Sequence, residues 1–328
     1  MGKTVKNERV RRSVPLESLY PSSLFGGLSL IKLKVGVCFQ DGAMLPPFLG
    51  SAWRGLIGWE LKTLICPFGR RPRCQTCTIN EHCPYFILME KRSTLPGLLN
   101  SPRGYIIDSV LSQETNNICN LCITLFGYCE RFLPVLIKSL LKGQKTGLGA
   151  NRSRYEIVSI DQMLPDGKIM PLEFDMEGLP AGHRTISLRE WLQRCPEPSG
   201  EIRLSTPLRL RKKGKYLSTP DWPFFFASLA RRLESLTRIF NGGLPIGKET
   251  WRRLETCFSD PGEIQANLRW HDLGRYSNRQ KRHVPMGGIV GHVILKNPDP
   301  WFLQWWQAAS IAHVGKGAAM GLGKIDMA

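Results

Sequence analysis

One pattern occurs twice along the chain. A helical stretch beginning Phe132-Leu133-Pro134-Val135 runs into Gly143-Gln144-Lys145-Thr146-Gly147-Leu148-Gly149 and then a strand at 155–160. The order returns with Phe302-Leu303-Gln304-Trp305-Trp306, then Gly315-Lys316-Gly317 through Gly321-Leu322-Gly323, then a strand at 324–327. Ahead of each copy stands an apolar strand and an amphipathic helix: 28–39 before 46–65, and 204–210 before 221–240. Strand, helix, two strands, helix, strand is the ferredoxin-like order, shared by RNA-recognition folds. The prediction is an α+β chain of tandem ferredoxin-like domains. The break falls at Cys195-Pro196-Glu197-Pro198-Ser199-Gly200, where proline and glycine interrupt any element. Residues 14–198 then form the first domain and 199–328 the second. Residues 1–13 carry Lys3, Lys6, Arg9, Arg11 and Arg12 without the apolar core of a signal peptide, and read as a basic flexible arm.

Between positions 315 and 324 the second loop packs Gly315, Gly317, Gly321 and Gly323 with Lys316 and Lys324. Glycine permits close backbone approach, and converging peptide N–H groups beside a lysine suit an anion. The whole chain carries 45 Lys and Arg against 27 Asp and Glu, a formal net charge of +18. Such an excess points to a polyanion, because phosphate neutralisation releases counterions. An apolar run long enough to span a bilayer is missing, so no membrane partner and a cytoplasmic setting are expected.

Ten cysteines without an export signal imply thiols or metal rather than disulfides. Cys66, Cys74, Cys77 and Cys83 crowd into a Pro- and Gly-containing stretch, about 66–83, with a Cys-x2-Cys pair at its centre. Four thiolates make a closed tetrahedral set, which predicts one structural zinc in a knuckle inserted after the first helix. His82 is an alternative ligand to Cys83. Cys119-Asn120-Leu121-Cys122 repeats the spacing inside an alternating strand, which sends the two side chains to opposite faces. That pair is not a metal grip.

Three stretches together resemble a known family. They are Arg54-Gly55-Leu56-Ile57-Gly58 with the knuckle ending Cys83-Pro84-Tyr85; Trp270-His271-Asp272-Leu273-Gly274-Arg275-Tyr276-Ser277-Asn278-Arg279-Gln280 leading into Gly287-Gly288-Ile289-Val290-Gly291; and His313-Val314-Gly315-Lys316-Gly317 through Gly321-Leu322-Gly323. The chain resembles, over about residues 28–328, the CRISPR-associated endoribonucleases of the RAMP superfamily, which cut precursor CRISPR RNA within its repeats. The resemblance implies metal-independent cleavage, with no catalytic metal. The 2′-hydroxyl attacks the adjacent phosphate, leaving 2′,3′-cyclic phosphate and 5′-hydroxyl ends. Such chemistry asks for a base, a cation at the non-bridging oxygens and in-line geometry.

Many members place a catalytic histidine on or near the first helix. This chain departs from that pattern, having no histidine before His82. The candidates for chemistry are His313, Arg54 and Tyr276. His313 closes a helix two residues before Gly315 and can exchange a proton near neutral pH; its other reading is a helix-end residue packed beside Trp306 and Ala309. Arg54 lies on the polar face of the first helix with Ser51, Gly58 and Lys62, where it can neutralise a phosphorane or form a structural ion pair. The candidates for RNA binding are Arg275, Ser277, Arg279, Gly315, Lys316, Gly317, Gly321, Gly323 and Lys324, with Lys145 in the first loop as a weaker counterpart. The expected partner is CRISPR repeat RNA, with effector-complex subunits in addition. The rival expectation is a non-catalytic RAMP subunit that only holds the RNA.

Overall fold

The computed structural model describes residues 14–46, 48–69, 73–93, 95, 102–111, 117–175, 179–277 and 282–327. The basic arm at 1–13 lies outside them. The first unit runs β1 (Ser29–Phe39), α1 (Leu49–Ile65), β2 (Tyr105–Leu111), β3 (Ile118–Phe126), α2 (Leu133–Thr146) and β4 (Tyr155–Met163). The second runs β5 (Glu201–Leu208), α3 (Trp222–Phe240), α4 (Lys248–Phe258), β6 (Glu263–His271), a hairpin of β7 (Gly274–Ser277) and β8 (Arg282–Pro285), β9 (Gly288–Lys296), α5 (Pro300–Ala312) and β10 (Ile325–Met327). The first sheet is ordered β2-β3-β1-β4, extended by Ile169–Pro171, and the second β6-β9-β5-β10; the pairs joining these strands are antiparallel. Both orders place the first and third strands side by side at the centre, as ferredoxin-like folds do.

Local chemistry sets the elements. In β1, Leu33, Val35 and Val37 are buried while Lys32 and Lys34 stand half-exposed on the other face, the period-two signature of a strand. The register slips between Gly36 and Val37 against β4. Helix α3 starts where the Asp221 carboxylate accepts from the Phe224 N–H, and α5 where Asp299 accepts from Trp301 N–H; each has proline in its first turn. Caps of this kind are each worth about 1 kcal/mol. In α1 the buried face is Leu49, Trp53, Leu56, Ile57 and Leu61. Leu64, apolar as it is, stands exposed, because Leu61 already completes the face one turn earlier.

Trp53, Tyr155 and Phe39 form the aromatic centre of the first core, with Trp53 edge-on to Tyr155 at 5.0 Å. The second core is built from Phe225, Phe226, Phe258, Trp301, Trp305 and Trp306. Emptying either, by Trp53→Ala for example, costs about 3–5 kcal/mol. In β3, Cys119 is buried with Leu121, Ile123 and Leu125, and Cys122 faces the other way.

The two units meet along a packed seam. Phe25 contacts Trp305 edge-on at 6.2 Å, and Ser22 Oγ donates to Gln304 Oε1 at 2.6 Å. At one end the turn Ala318–Met320 of the second Gly-rich loop presses on α1 and β2. A Cβ at Gly50 would run into the Met320 carbonyl oxygen, so α1 needs glycine there.

Candidate nucleic-acid interface

Helix α1 carries Ser51 and Arg54 one turn apart, on the side away from its apolar face. The Arg54 Nε donates to the Tyr105 Oη at 2.9 Å. Tyr105 opens β2, is buried, and donates in turn to Met89 Sδ at 3.5 Å. The β7–β8 hairpin leaves the second sheet and brings Arg275 to the same place, where its Nη1 donates to Ser51 Oγ at 3.3 Å. Just before β2, Arg103 Nη1 donates to the Lys91 carbonyl at 2.7 Å. Two guanidinium groups from one domain and one from the other therefore share a neighbourhood.

Among the described residues, no carboxylate pairs with Arg54, Arg103 or Arg275. The Arg275 Nε is buried and has no hydrogen-bond partner there. Burial, and then the charge of Arg54, lower the pKa of Arg275. Burial is also the largest cause lowering Arg103, with Tyr105 opposing it and Arg54 adding to it. Arginine keeps its proton regardless. Half-buried like charges held together are costly, the charge of Glu90 opposes only part of this at Arg103, and an incoming anion relieves the rest.

Alternation along β7 sends Tyr276 to the face opposite Arg275. It is 51% exposed and meets His283 across the hairpin, ring centroids 5.4 Å apart and edge-on. Ser277 ends β7, and Arg279 lies outside the described residues.

The second Gly-rich loop makes its close approaches inside the protein. Gly321 has φ of +85°, and a Cβ there would stand 2.7 Å from the Asp108 Cβ. Gly315 and Gly317 are half-buried, Gly321 and Gly323 buried; the loop's close approaches are to Arg209, Leu322, Asp108 and Val314, all within the protein. Lys316 is exposed, its N–H held by the Arg209 carbonyl at 2.9 Å. Lys324 reaches inward, 3.5 Å from Asp108 Oδ1 and 3.8 Å from Asp326 Oδ1. Burial works to lower its pKa, but the two carboxylates outweigh it and the net shift is upward.

His313 sits beneath this loop, 3% exposed, with φ of +53° and Nε2 3.7 Å from Asp108 Oδ2. Burial pushes its pKa well below the usual value, and Lys32, Lys324 and Arg232 push the same way. The neutral imidazole is therefore the favoured form, held in the seam beside Asp108 and Lys324. Asp108 is itself raised by burial, with Lys324 and Lys32 opposing. Arg103, Tyr105 and Asp108 were not singled out from the sequence. Their only signal is a cation and an acid flanking an apolar strand start, Arg103-Gly104-Tyr105-Ile106-Ile107-Asp108.

Lys145 is exposed on the last turn of α2. Cys66, Cys74, Cys77 and Cys83 are free thiols that line one cavity. As they stand, no group of three or more His, Cys, Asp or Glu side chains among the described residues is arranged to hold a metal ion.

Residues 202–325 match the family model of the CRISPR-associated endoribonuclease Cas6. Residues 28–178 match a model described as an N-terminal domain. An uncharacterized protein of Archaeoglobus fulgidus is 26% identical over 258 residues, 77% of this chain and 81% of that protein. A Cas6 product complex superposes with a TM-score of 0.56 at 15% identity, covering 91% of this chain and 99% of that one. A Thermus thermophilus Cas6 gives 0.51 at 14% identity, covering 92% and 99%. Residues 202–325 are thus similar to the Cas6 family, and the chain shares the fold of these two solved Cas6 structures. No helix among the described residues is long and apolar enough to cross a membrane.

Proposed function

We propose that this chain, whose second domain matches the CRISPR-associated endoribonuclease Cas6, binds CRISPR repeat RNA across its domain seam and cuts it there. The observation that carries this reading is the meeting of Arg54 and Arg275, one from each domain, with no carboxylate partner among the described residues. A phosphodiester placed between them gains two charge-assisted donors fixed in advance by Tyr105 and Ser51. A stem docks by its A-form shape and phosphates, since side chains cannot read its deep groove. Tyr276, exposed on the hairpin, offers a ring for an unpaired base.

In the cleavage step the 2′-oxygen attacks phosphorus as its proton passes to a base, and the bond to the 5′-oxygen breaks as that oxygen takes a proton. Arg54 and Arg275 neutralise the non-bridging oxygens. Both arginines are protonated and serve poorly as bases. Of the histidines, His283 beside Tyr276 stands in reach of solvent and RNA, whereas His313 is shielded by Asp108 and the loop above it. A base must come within hydrogen-bond reach of the 2′-hydroxyl, which favours the hairpin. The structural comparison bears on the fold alone.

Repeat RNA incubated with the protein without added divalent cations tests the proposal. Ribose substrate should be cut once, giving a cyclic phosphate, and a substrate with 2′-deoxyribose at the cut position should bind but stay whole. Cleavage of the deoxy substrate removes the mechanism. A second reading, a subunit that holds repeat RNA in an effector complex without cutting, is favoured by the lack of a histidine on α1 and the burial of His313. Tight binding with no product selects it.

A further inference from the structure

The segment between α1 and β2 poses a physical question that the RNA site does not answer. From Cys66 to Cys83 the described chain makes only short turns: Gly69 N–H to Cys66, Cys77 to Cys74, Asn80 to Cys77 and Cys83 to Asn80. Ordering each residue costs about 1–2 kcal/mol in backbone entropy. Little apolar burial offsets this, because Phe68 and Ile79 are exposed at 57% and 44%. Disulfides are absent among the described cysteines. Yet Cys66, Cys74, Cys77 and Cys83, delivered by successive turns, line a single cavity of about 20 Å³. That volume holds one small species.

We infer that Cys66, Cys74, Cys77 and Cys83 bind one zinc ion as thiolates, and that this ion braces the segment positioning Arg54. All four sulfurs line the same cavity, and binding would close them on the ion as a tetrahedral set. Each thiol gives up its proton on binding, and four thiolates with Zn²⁺ leave a net charge of −2. The brace runs through the turn Phe86–Glu90, whose Ile87 N–H bonds the Cys83 carbonyl. Met89 in that turn packs on Gly58 of α1 and accepts the Tyr105 hydroxyl, and Tyr105 holds Arg54. The ion touches no reacting atom. Cys66 to Cys83 is thus a positioning device, and its second role rests on the RNA reading above.

The test uses the full chain purified under reducing conditions without chelator. Elemental analysis should find stoichiometric zinc, and cobalt substitution should give the intense thiolate charge-transfer and tetrahedral ligand-field bands. C74S/C77S should lose both. Should that variant fail to fold, the cobalt spectrum of the unaltered chain still decides. Substoichiometric zinc with four thiols freely titrated in the folded protein overturns the site, as does zinc retained by C74S/C77S. Removing the ion with a chelator should raise hydrogen exchange at residues 86–90 and restore it on adding zinc; unchanged exchange overturns the brace. Metal content is read without RNA, so failure of the zinc site and failure of repeat binding are told apart.

Discussion

The two Lys/Gly loops occupy equivalent places in the two domains and do different jobs. The first, after α2, closes on its own domain: Leu148 bridges Ser153, and Asn151 and Ser153 bond the Met44 carbonyl. The second crosses to the other domain, where its turn lies against Gly50 and Asp108 and its lysine enters an ion pair. A repeat in sequence thus marks a shared backbone plan, while the partner decides the role. A glycine loop is as well suited to protein contact as to phosphate contact, because both require only the missing Cβ.

The comparison breaks most sharply at the cations. Arg54→Ala or Arg275→Ala should lower the single-turnover cleavage rate about 10²-fold or more, the scale of losing one transition-state donor. Lys145→Ala, on the last turn of α2 before the loop that closes on its own domain, should change it by no more than about threefold, a loss of rim charge alone. Equal effects would erase the distinction. Next in size is stability. Gly321→Ala combines positive φ with a clash at Asp108 and should cost about 2–4 kcal/mol in denaturant titration. Gly149→Ala, whose Cβ would sit 3.3 Å from Pro46, should cost about 1–2 kcal/mol, mostly strain.

The buried histidine sharpens the contrast further. Its folded pKa is depressed, so below about pH 6.5 the unfolded chain takes up a proton that the folded chain refuses. Stability should then fall as pH drops through that window, by at most about 1.4 kcal/mol per pH unit from this group. His313→Gln should flatten this portion of the curve; an unchanged slope in thermal melts would show that the group is not held neutral. Smallest of all, Lys316→Ala should lower the salt slope of RNA binding by about one with a modest loss of affinity.

Much of the fold was readable in one dimension. The amphipathic run at 221–240 announced α3, and the twice-repeated order foretold both sheets. The site was less legible. Arg54 stood out as a cation on a polar helix face, but its partner Tyr105 is apolar by pattern and comes from a different element. His313 looked accessible because glycines follow it; the acid that covers it lies on β2, far away in sequence. Pairings of that kind depend on how two domains dock, which local periodicity does not encode. The hairpin carrying Arg275 read as a basic stretch, and nothing in its composition says that it crosses to α1.

The long 3.3 Å contact from Arg275 to Ser51 has a practical corollary on the proposed reading. A neutral hydroxyl parks the guanidinium in its working orientation and yields readily to a stronger acceptor, so little freedom is surrendered when the nucleic acid arrives. The same readiness extends to inorganic oxyanions. Sulfate or phosphate buffers should therefore act as competitive inhibitors, and assays run in them will understate the grip on RNA.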